Sequence, residues 1–300
     1  MRLIIFDFLK GICIGIANVI PGFSGGTMAV ILNIYERLIG GFSNFFRHPL
    51  VVLKDLWSIL LGLIVGIVIA ILTITKLLQT FPIPTALFFV GLIFGSIPNL
   101  FKTYKESGKT KIIDVIFFVI AIAIIVILPL LNSKNIEVSN INIGLIILMF
   151  VLGAICAAAM ILPGVSGSLV LMAFGYYMFL MAHIGNLIED VLSFSFDGFW
   201  NSFFLVLSFG VGAIVGIVCI SKLLKFLFNK YQRIVYALIL GLLVASPFAI
   251  IYSVINAYPK IVSNANVLTY VVSFFTMVLG IVLVILPNLI NREQKNEEQN

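Results

Sequence analysis

The chain has 300 residues, of which 62% are hydrophobic and only 10% are charged, and its mean hydropathy is +1.22. A soluble domain of this length has too little interior to bury so much apolar surface, so the composition excludes an ordinary globular protein. The net charge of +6 gives no reason to expect a nucleic-acid partner, because the basic residues are distributed as membrane topology requires.

The first half of the chain holds five apolar segments, at about 3–20, 27–46, 56–76, 82–101 and 112–131. Asp7 and Lys10 interrupt the first segment and no cleavage site follows, so we interpret it as a retained segment and not as a signal peptide. Its uncharged part, 11–20, spans about 15 Å as a helix, which suits half a bilayer. Pro21 and Gly22 then break the chain, so we predict a re-entrant hairpin with these two residues at its tip.

The second half repeats this order, with apolar segments at about 141–162, 168–183, 200–221, 234–256 and 266–290. Its motif Pro163-Gly164-Val165-Ser166-Gly167-Ser168 follows Pro21-Gly22-Phe23-Ser24-Gly25-Gly26 at a distance of 142 positions. Pro163 and Gly164 are therefore predicted to form a second hairpin tip. The predicted fold is an all-α polytopic membrane protein with two re-entrant hairpins and about six spanning helices. The predicted units are a first repeat at 1–132, a second at 140–291 and a disordered cytoplasmic tail at 292–300.

An odd number of crossings in each half predicts an inverted-topology repeat, as in many secondary transporters. Following the segments places 15 of the 18 lysines and arginines on one side of the membrane. Only Lys76, Lys134 and Lys260 fall on the other side. The first side is then cytoplasmic, and both termini are expected there.

Each motif offers the start of a helix whose first N–H groups have no partner within the helix. Such N–H groups, together with the helix dipole, bind anions, and glycine lets a phosphate approach the backbone. Two facing helix starts would hold a phosphate without a metal or a fixed lysine. The predicted phosphate-binding residues at the two helix starts are Ser24, Gly25, Gly26, Thr27, Ser166, Gly167 and Ser168. The alternative is a packed helix break that binds nothing.

The two halves differ just after the motif, where Tyr35-Glu36-Arg37 stands opposite Tyr177-Met178-Phe179. An ionisable pair at membrane depth suggests a function. We predict that Arg37 pairs with the phosphate and that Glu36 carries a coupling proton. Asn18, Tyr35 and Tyr177 are expected to line the path. Alternatively, Glu36 and Arg37 extend to the cytoplasmic interface as an ordinary helix flank.

Catalysis and metal binding have little support in the sequence. Cys13, Cys156 and Cys219 lie in apolar segments without metal-like spacing. The first motif contains G-x-S-x-G, but the hydrolase sheet that this elbow requires is not expected here. His48 and His183 lie at segment ends, away from a buried serine that would need a base. We therefore predict a protein that is not an enzyme and uses no cofactor.

The residues from Ala17 to Thr27, then Ile34-Tyr35-Glu36-Arg37-Leu38, resemble the signature of the bacterial polyprenyl-phosphate transporter family, and the copy from Ile161 to Ser168 fits it too. The resemblance implies that undecaprenyl phosphate, the lipid carrier of cell-wall precursors, is moved from the outer to the inner leaflet of the plasma membrane for reuse. Ser168 replaces the Gly26 of the first copy, which implies a tighter or less symmetric second site. The alternative is a transporter of a small anion such as phosphate or a carboxylate. The oligomeric state, including a homo-oligomer, stays open.

Overall fold

A computed structural model describes residues 2–19, 24–130, 142–193 and 199–297 of the chain. These residues form α-helices and one short 3-10 helix at Leu128–Leu130, and none of them lies in a strand. The helices are α1 Arg2–Val19, α2 Gly25–Ile31, α3 Tyr35–Asn44, α4 Pro49–Leu72, α5 Ile74–Thr80, α6 Pro82–Glu106, α7 Ile112–Ile127, α8 Ile143–Ile161, α9 Gly167–Ala173, α10 Tyr177–Ser193, α11 Phe199–Ala257, α12 Pro259–Ser263 and α13 Val267–Glu297. Six of the described helices are long and apolar enough to cross a membrane, which confirms the predicted all-α polytopic class.

The longest helix, α11, consists of two arms. Its 59 residues would extend almost 90 Å if straight, about three times the thickness of the hydrocarbon core. Tyr231 interrupts it with non-helical dihedrals of φ −135° and ψ 39°. Residues 220–227 of the first arm and 234–242 of the second line one apolar cavity, so the arms face each other. The arms correspond to the two predicted segments 200–221 and 234–256.

Glycines bring the first helix of each half close to a later helix of the same half. A Cβ added at Gly11 of α1 would overlap the carbonyl oxygen of Ile59 in α4, and one at Gly62 would overlap that of Phe8. In the second half, a Cβ at Gly153 of α8 would overlap the Phe209 carbonyl oxygen in α11. Small residues allow this approach where lipid gives helices no hydrophobic reason to associate.

The last helix of each half packs instead against the other half. Gly91 of α6 contacts the Met277 carbonyl of α13, whereas Gly241 of α11, 150 positions later, contacts the Phe118 carbonyl of α7. Gly91 and Gly241 therefore occupy equivalent positions in the two halves, and each packs against the last helix of the opposite half. This exchange supports the repeat, which we retain as a proposal.

The helices that follow the two motifs are short. Both α2 and α9 have seven residues, and they end in left-handed backbone at Asn33 (φ 55°) and Gly175 (φ 78°), again 142 positions apart. Asparagine and glycine tolerate this conformation best. The predicted tip residues Pro21 and Gly22 lie outside the described residues. The tail is predicted to be disordered from residue 292, whereas α13 continues as far as Glu297. Glu, Gln and Lys, which are frequent in this segment, are good helix formers.

Candidate functional site

The two motifs meet in the interior of the protein. The backbone N–H of Gly164 donates to Thr27 Oγ1 at 2.6 Å and to Ser24 Oγ at 3.2 Å. Ser24 also caps α2, because its Oγ accepts from the Thr27 N–H at 3.2 Å. Helix breaks within a membrane leave backbone groups that lipid cannot satisfy. Here the Ser24 and Thr27 hydroxyls of the first motif provide the hydrogen-bond acceptors for the Gly164 N–H of the second.

The Asn18 side chain accepts a hydrogen bond from the first backbone N–H of α2, that of Gly25. Its Oδ1 accepts from the Gly25 N–H at 3.1 Å, while its Nδ2 donates to the Ile14 carbonyl at 3.0 Å. A Cβ at Gly26 would lie 2.5 Å from the carbonyl oxygen of Ile161, at the negative end of α8. Two of the predicted anion donors at this helix start, on Gly25 and Thr27, are therefore engaged within the protein in this conformation.

The start of α9 is more open. Ser166 makes no side-chain cap, and its Oγ lies 2.7 Å from that of Ser168, which is exposed. Gly167 is buried, and a Cβ there would lie 2.8 Å from Met160 Sδ and 3.0 Å from the Cys156 carbonyl oxygen. The second motif thus presents two hydroxyls and a glycine backbone with few internal partners.

Two cavities adjoin the motifs and a third adjoins one of these two, and we name each cavity after a characteristic residue. The serine cavity, of about 270 Å³, is lined by Asn18, Ser24, Cys156, Ala157, Met160, Ser166, Gly167, Ser168, Leu171, Tyr177, Leu180, Met181, Ile184, Phe209 and Ala213. The glycine cavity, of about 160 Å³, is lined by Ile14, Asn18, Gly25, Gly26, Ala29, Tyr35, Leu38, Ile39, Phe42, Ile59, Leu60, Leu63, Ala157, Met160, Ile161 and Ile217. The glutamate cavity, of about 280 Å³, is lined by Val30, Ile31, Asn33, Tyr35, Glu36, Ser96, Asn99, Leu100, Thr103, Phe228, Tyr236, Ile239 and Val284.

These cavities adjoin one another in series. Asn18, Ala157 and Met160 line both the serine and the glycine cavity. Tyr35 lines both the glycine and the glutamate cavity. The described side chains therefore border a series of spaces that passes both motifs.

The serine and glycine cavities are built from equivalent positions of the two halves. Residues 142 positions apart line the two cavities, namely Gly25 and Gly167, Gly26 and Ser168, Ala29 and Leu171, Tyr35 and Tyr177, Leu38 and Leu180, Ile39 and Met181, and Phe42 and Ile184. The structure thus places the predicted lining residues Asn18, Tyr35 and Tyr177 at cavity walls. The correspondence also supports the proposed repeat.

The glutamate cavity has the most polar lining of the three. Glu36 accepts a hydrogen bond from the Tyr236 hydroxyl, and Asn99 Nδ2 donates to Asn33 Oδ1 at 3.3 Å. Sequence reasoning found Glu36 but missed Tyr236, which lies 200 positions away on α11 and carries no local motif. Ser96 could have been noticed, because it belongs to a stretch that recurs 150 positions later with Ser246.

Arg37 is held away from the motifs. Its guanidinium pairs with Asp7 at 2.7 Å and with Asp55 at 2.9 Å, and it also donates to the Asp55 backbone carbonyl at 3.0 Å. Hydrogen bonds to Asp55 and Asp7 raise the pKa of Arg37 above its ordinary value. Arg37 lines none of the three cavities, so its predicted contact with phosphate stays a prediction.

Comparison with known proteins identifies the family of this chain. The VCA0040-like family, described as undecaprenyl phosphate translocase-like, matches residues 14–263. A polyprenyl-phosphate transporter of Staphylococcus aureus is 30% identical over 92% of this chain and 93% of its own length. A polyprenyl-phosphate transporter of Vibrio cholerae is 30% identical over 80% of this chain and 75% of its own length. No solved structure gives a significant match. The chain therefore belongs to the undecaprenyl phosphate translocase-like family.

Proposed function

We propose that this protein moves a polyprenyl phosphate across the bilayer by passing the phosphate headgroup along the serine, glycine and glutamate cavities. The observation that carries the proposal is the series of adjoining cavities that passes both motifs. The names of the two bacterial relatives support the substrate class. A prenyl chain can stay in lipid throughout, so the protein needs to shield only the charge of the headgroup.

The headgroup first meets the second motif in this proposal. Ser166 and Ser168 supply hydroxyl donors there, and Gly167 allows close approach to the backbone. Asn18 lies at the wall shared with the glycine cavity, where Gly25 and Gly26 border the path. The Ser24 and Thr27 hydroxyls can donate to the phosphate once the Gly164 N–H moves away from them. No catalytic group or metal is needed for this path.

Direction and orientation belong to the same proposal. With both termini in the cytoplasm, Glu36 lies in the part of the path nearest the cytoplasmic ends of α1 and α4, because its neighbour Arg37 pairs with Asp7 and Asp55. The serine cavity then faces the outer leaflet and receives the lipid. Transport from the outer to the inner leaflet of the bacterial plasma membrane would return the carrier to cell-wall synthesis.

Glu36 is proposed to carry the coupling proton. Its carboxylate accepts from Tyr236 at the edge of the glutamate cavity, where a negative headgroup would repel it. Protonation of Glu36 removes that repulsion and couples headgroup passage to a proton. A Glu36→Gln protein should therefore transport at a rate that no longer responds to the proton gradient. Normal transport by this variant at every pH and gradient would exclude the coupling role.

Reconstitution into liposomes tests the transport function. Leaflet exposure of a polyprenyl phosphate is followed over time, with inorganic phosphate uptake measured in parallel. Gly167→Leu should stop lipid movement, because Met160 and Cys156 leave no room for a side chain. Gly185→Leu on α10 is the matched control, because no atom of the described residues, beyond the backbone of its own helix, lies within 4 Å of a Cβ at that position. Movement of inorganic phosphate alone would favour the small-anion alternative.

A further inference from the structure

Tyr35 carries a buried hydroxyl that has no hydrogen-bond partner among the described residues. The residue is only 6% exposed, and its ring packs edge-on against Phe228 at a centroid distance of 6.2 Å. Phe228 in turn contacts the ring of Tyr236, at 5.6 Å. Tyr35 is thus fixed in place by aromatic packing while its polar end is unsatisfied, and it lines both the glycine and the glutamate cavity.

Other buried hydroxyls show that this position is unusual. Tyr104 is 7% exposed, but its hydroxyl donates to Thr110 Oγ1 at 3.0 Å and also contacts Asp114 Oδ2 at 3.3 Å. Ser221 and Ser253 also have unpartnered hydroxyls, yet neither lines one of the three cavities. An unpaired buried hydroxyl lowers stability, and at a cavity wall a bound ligand can supply the missing hydrogen-bond partner.

We propose that Tyr35 Oη is a headgroup ligand, which donates a hydrogen bond to a phosphate oxygen as the headgroup passes from the glycine cavity to the glutamate cavity. The inference rests on the proposed transport function and names a donor for the middle of its path. A neutral hydroxyl can stabilise an oxyanion at membrane depth without a buried cation. Tyr35 Oη donates to no described residue, and the neighbouring Glu36 accepts from the Tyr236 hydroxyl instead.

Tyr35→Phe, compared with Tyr104→Phe as a matched control, tests the inference. Removing the unpaired hydroxyl should leave the apparent melting temperature of the ligand-free protein in nanodiscs unchanged or raise it by about 2 °C. Removing the paired hydroxyl of Tyr104 should lower that temperature. Lipid transport per folded protein should fall about tenfold to a hundredfold in Tyr35→Phe, the value of one hydrogen bond to a charged group. Tyr104→Phe should transport at the wild-type rate.

Thermal shifts measured with a polyprenyl phosphate and with inorganic phosphate distinguish failure of the Tyr35 inference from failure of the transport proposal. If the lipid stabilises the wild type and Tyr35→Phe equally, the Tyr35 inference is wrong while the transport proposal stands. If inorganic phosphate alone stabilises the wild type and Tyr35→Phe loses that shift, the Tyr35 inference stands and the lipid proposal is wrong. A loss of stability in Tyr35→Phe like that in Tyr104→Phe also overturns the inference, and so does a wild type that neither compound stabilises.

Discussion

The hydroxyl groups of Ser24 and Thr27 join the two motifs, because both accept a hydrogen bond from the backbone N–H of Gly164. The Gly164 backbone has φ +81°, and a Cβ there would overlap Ser246 Oγ, so only glycine fits that position well. A buried donor that loses its acceptor costs more than the bond itself contributes, because no water replaces the acceptor. The hydroxyls therefore determine whether the second motif can break its helix at this depth.

Thr27→Val should destabilise the protein by about 1–3 kcal/mol, because it leaves the Gly164 N–H with the longer bond to Ser24 alone. Thermal unfolding in detergent measures the effect, and lipid transport should fall in parallel. Thr85→Val is the control, because the hydroxyl of buried Thr85 donates, among the described residues, only to the Phe81 carbonyl near the start of its own helix. Equal stability of the two variants would show that the contact between the motifs is unimportant.

Helix packing in each half depends on glycines that allow backbones to touch. A Cβ at Gly212 of α11 would overlap the Phe150 carbonyl oxygen of α8. At Gly210, by contrast, no atom of the described residues beyond the backbone of its own helix lies within 4 Å of a Cβ. Gly212→Ala should therefore destabilise by about 3 kcal/mol or more, since two backbones must separate. Gly210→Ala should be neutral or stabilise by about 0.5–1 kcal/mol, through helix propensity. Melting temperatures of the two variants check this, and an equal response would contradict the close packing.

The start of α3 is tied to α1 and α4 by Arg37, Asp7 and Asp55. The Arg37 and Asp55 side chains are 38% and 52% exposed, so that pair should contribute less than about 1 kcal/mol, whereas Asp7 is only 13% exposed. We expect Arg37→Gln and the double variant Asp7→Asn/Asp55→Asn to lower transport by the same modest factor. Combining all three changes should add nothing further, as measured in liposomes. If Arg37 binds phosphate instead, Arg37→Gln alone will abolish transport, while the double variant will retain it.

At the scale of the whole molecule, much of the fold could be predicted from the sequence. Hydropathy predicted the spanning helices, because a bilayer requires about 20 apolar residues per crossing. The recurrence of the Pro-Gly pair at Pro163-Gly164 predicted the second helix break, because a break within lipid needs particular residues to satisfy the backbone. Tyr236 beside Glu36 and Asp55 beside Arg37 could not be predicted, since each contact joins positions that only tertiary packing brings together. The exchange of partners between Gly91 and Gly241 likewise depends on how the two halves interlock.

The orientation of the whole molecule gives the last prediction. Lys109, between α6 and α7, belongs to the predicted cytoplasmic side, and Lys260 in α12 belongs to the opposite side. Both residues are exposed, so single cysteines at these positions can react with a membrane-impermeant maleimide once Cys13, Cys156 and Cys219 are replaced by alanine. In intact cells Lys260→Cys should be labelled and Lys109→Cys protected, and inside-out vesicles should reverse this result. Labelling of both positions from one side would disprove the predicted topology and, with it, the assignment of the serine cavity to the outer leaflet.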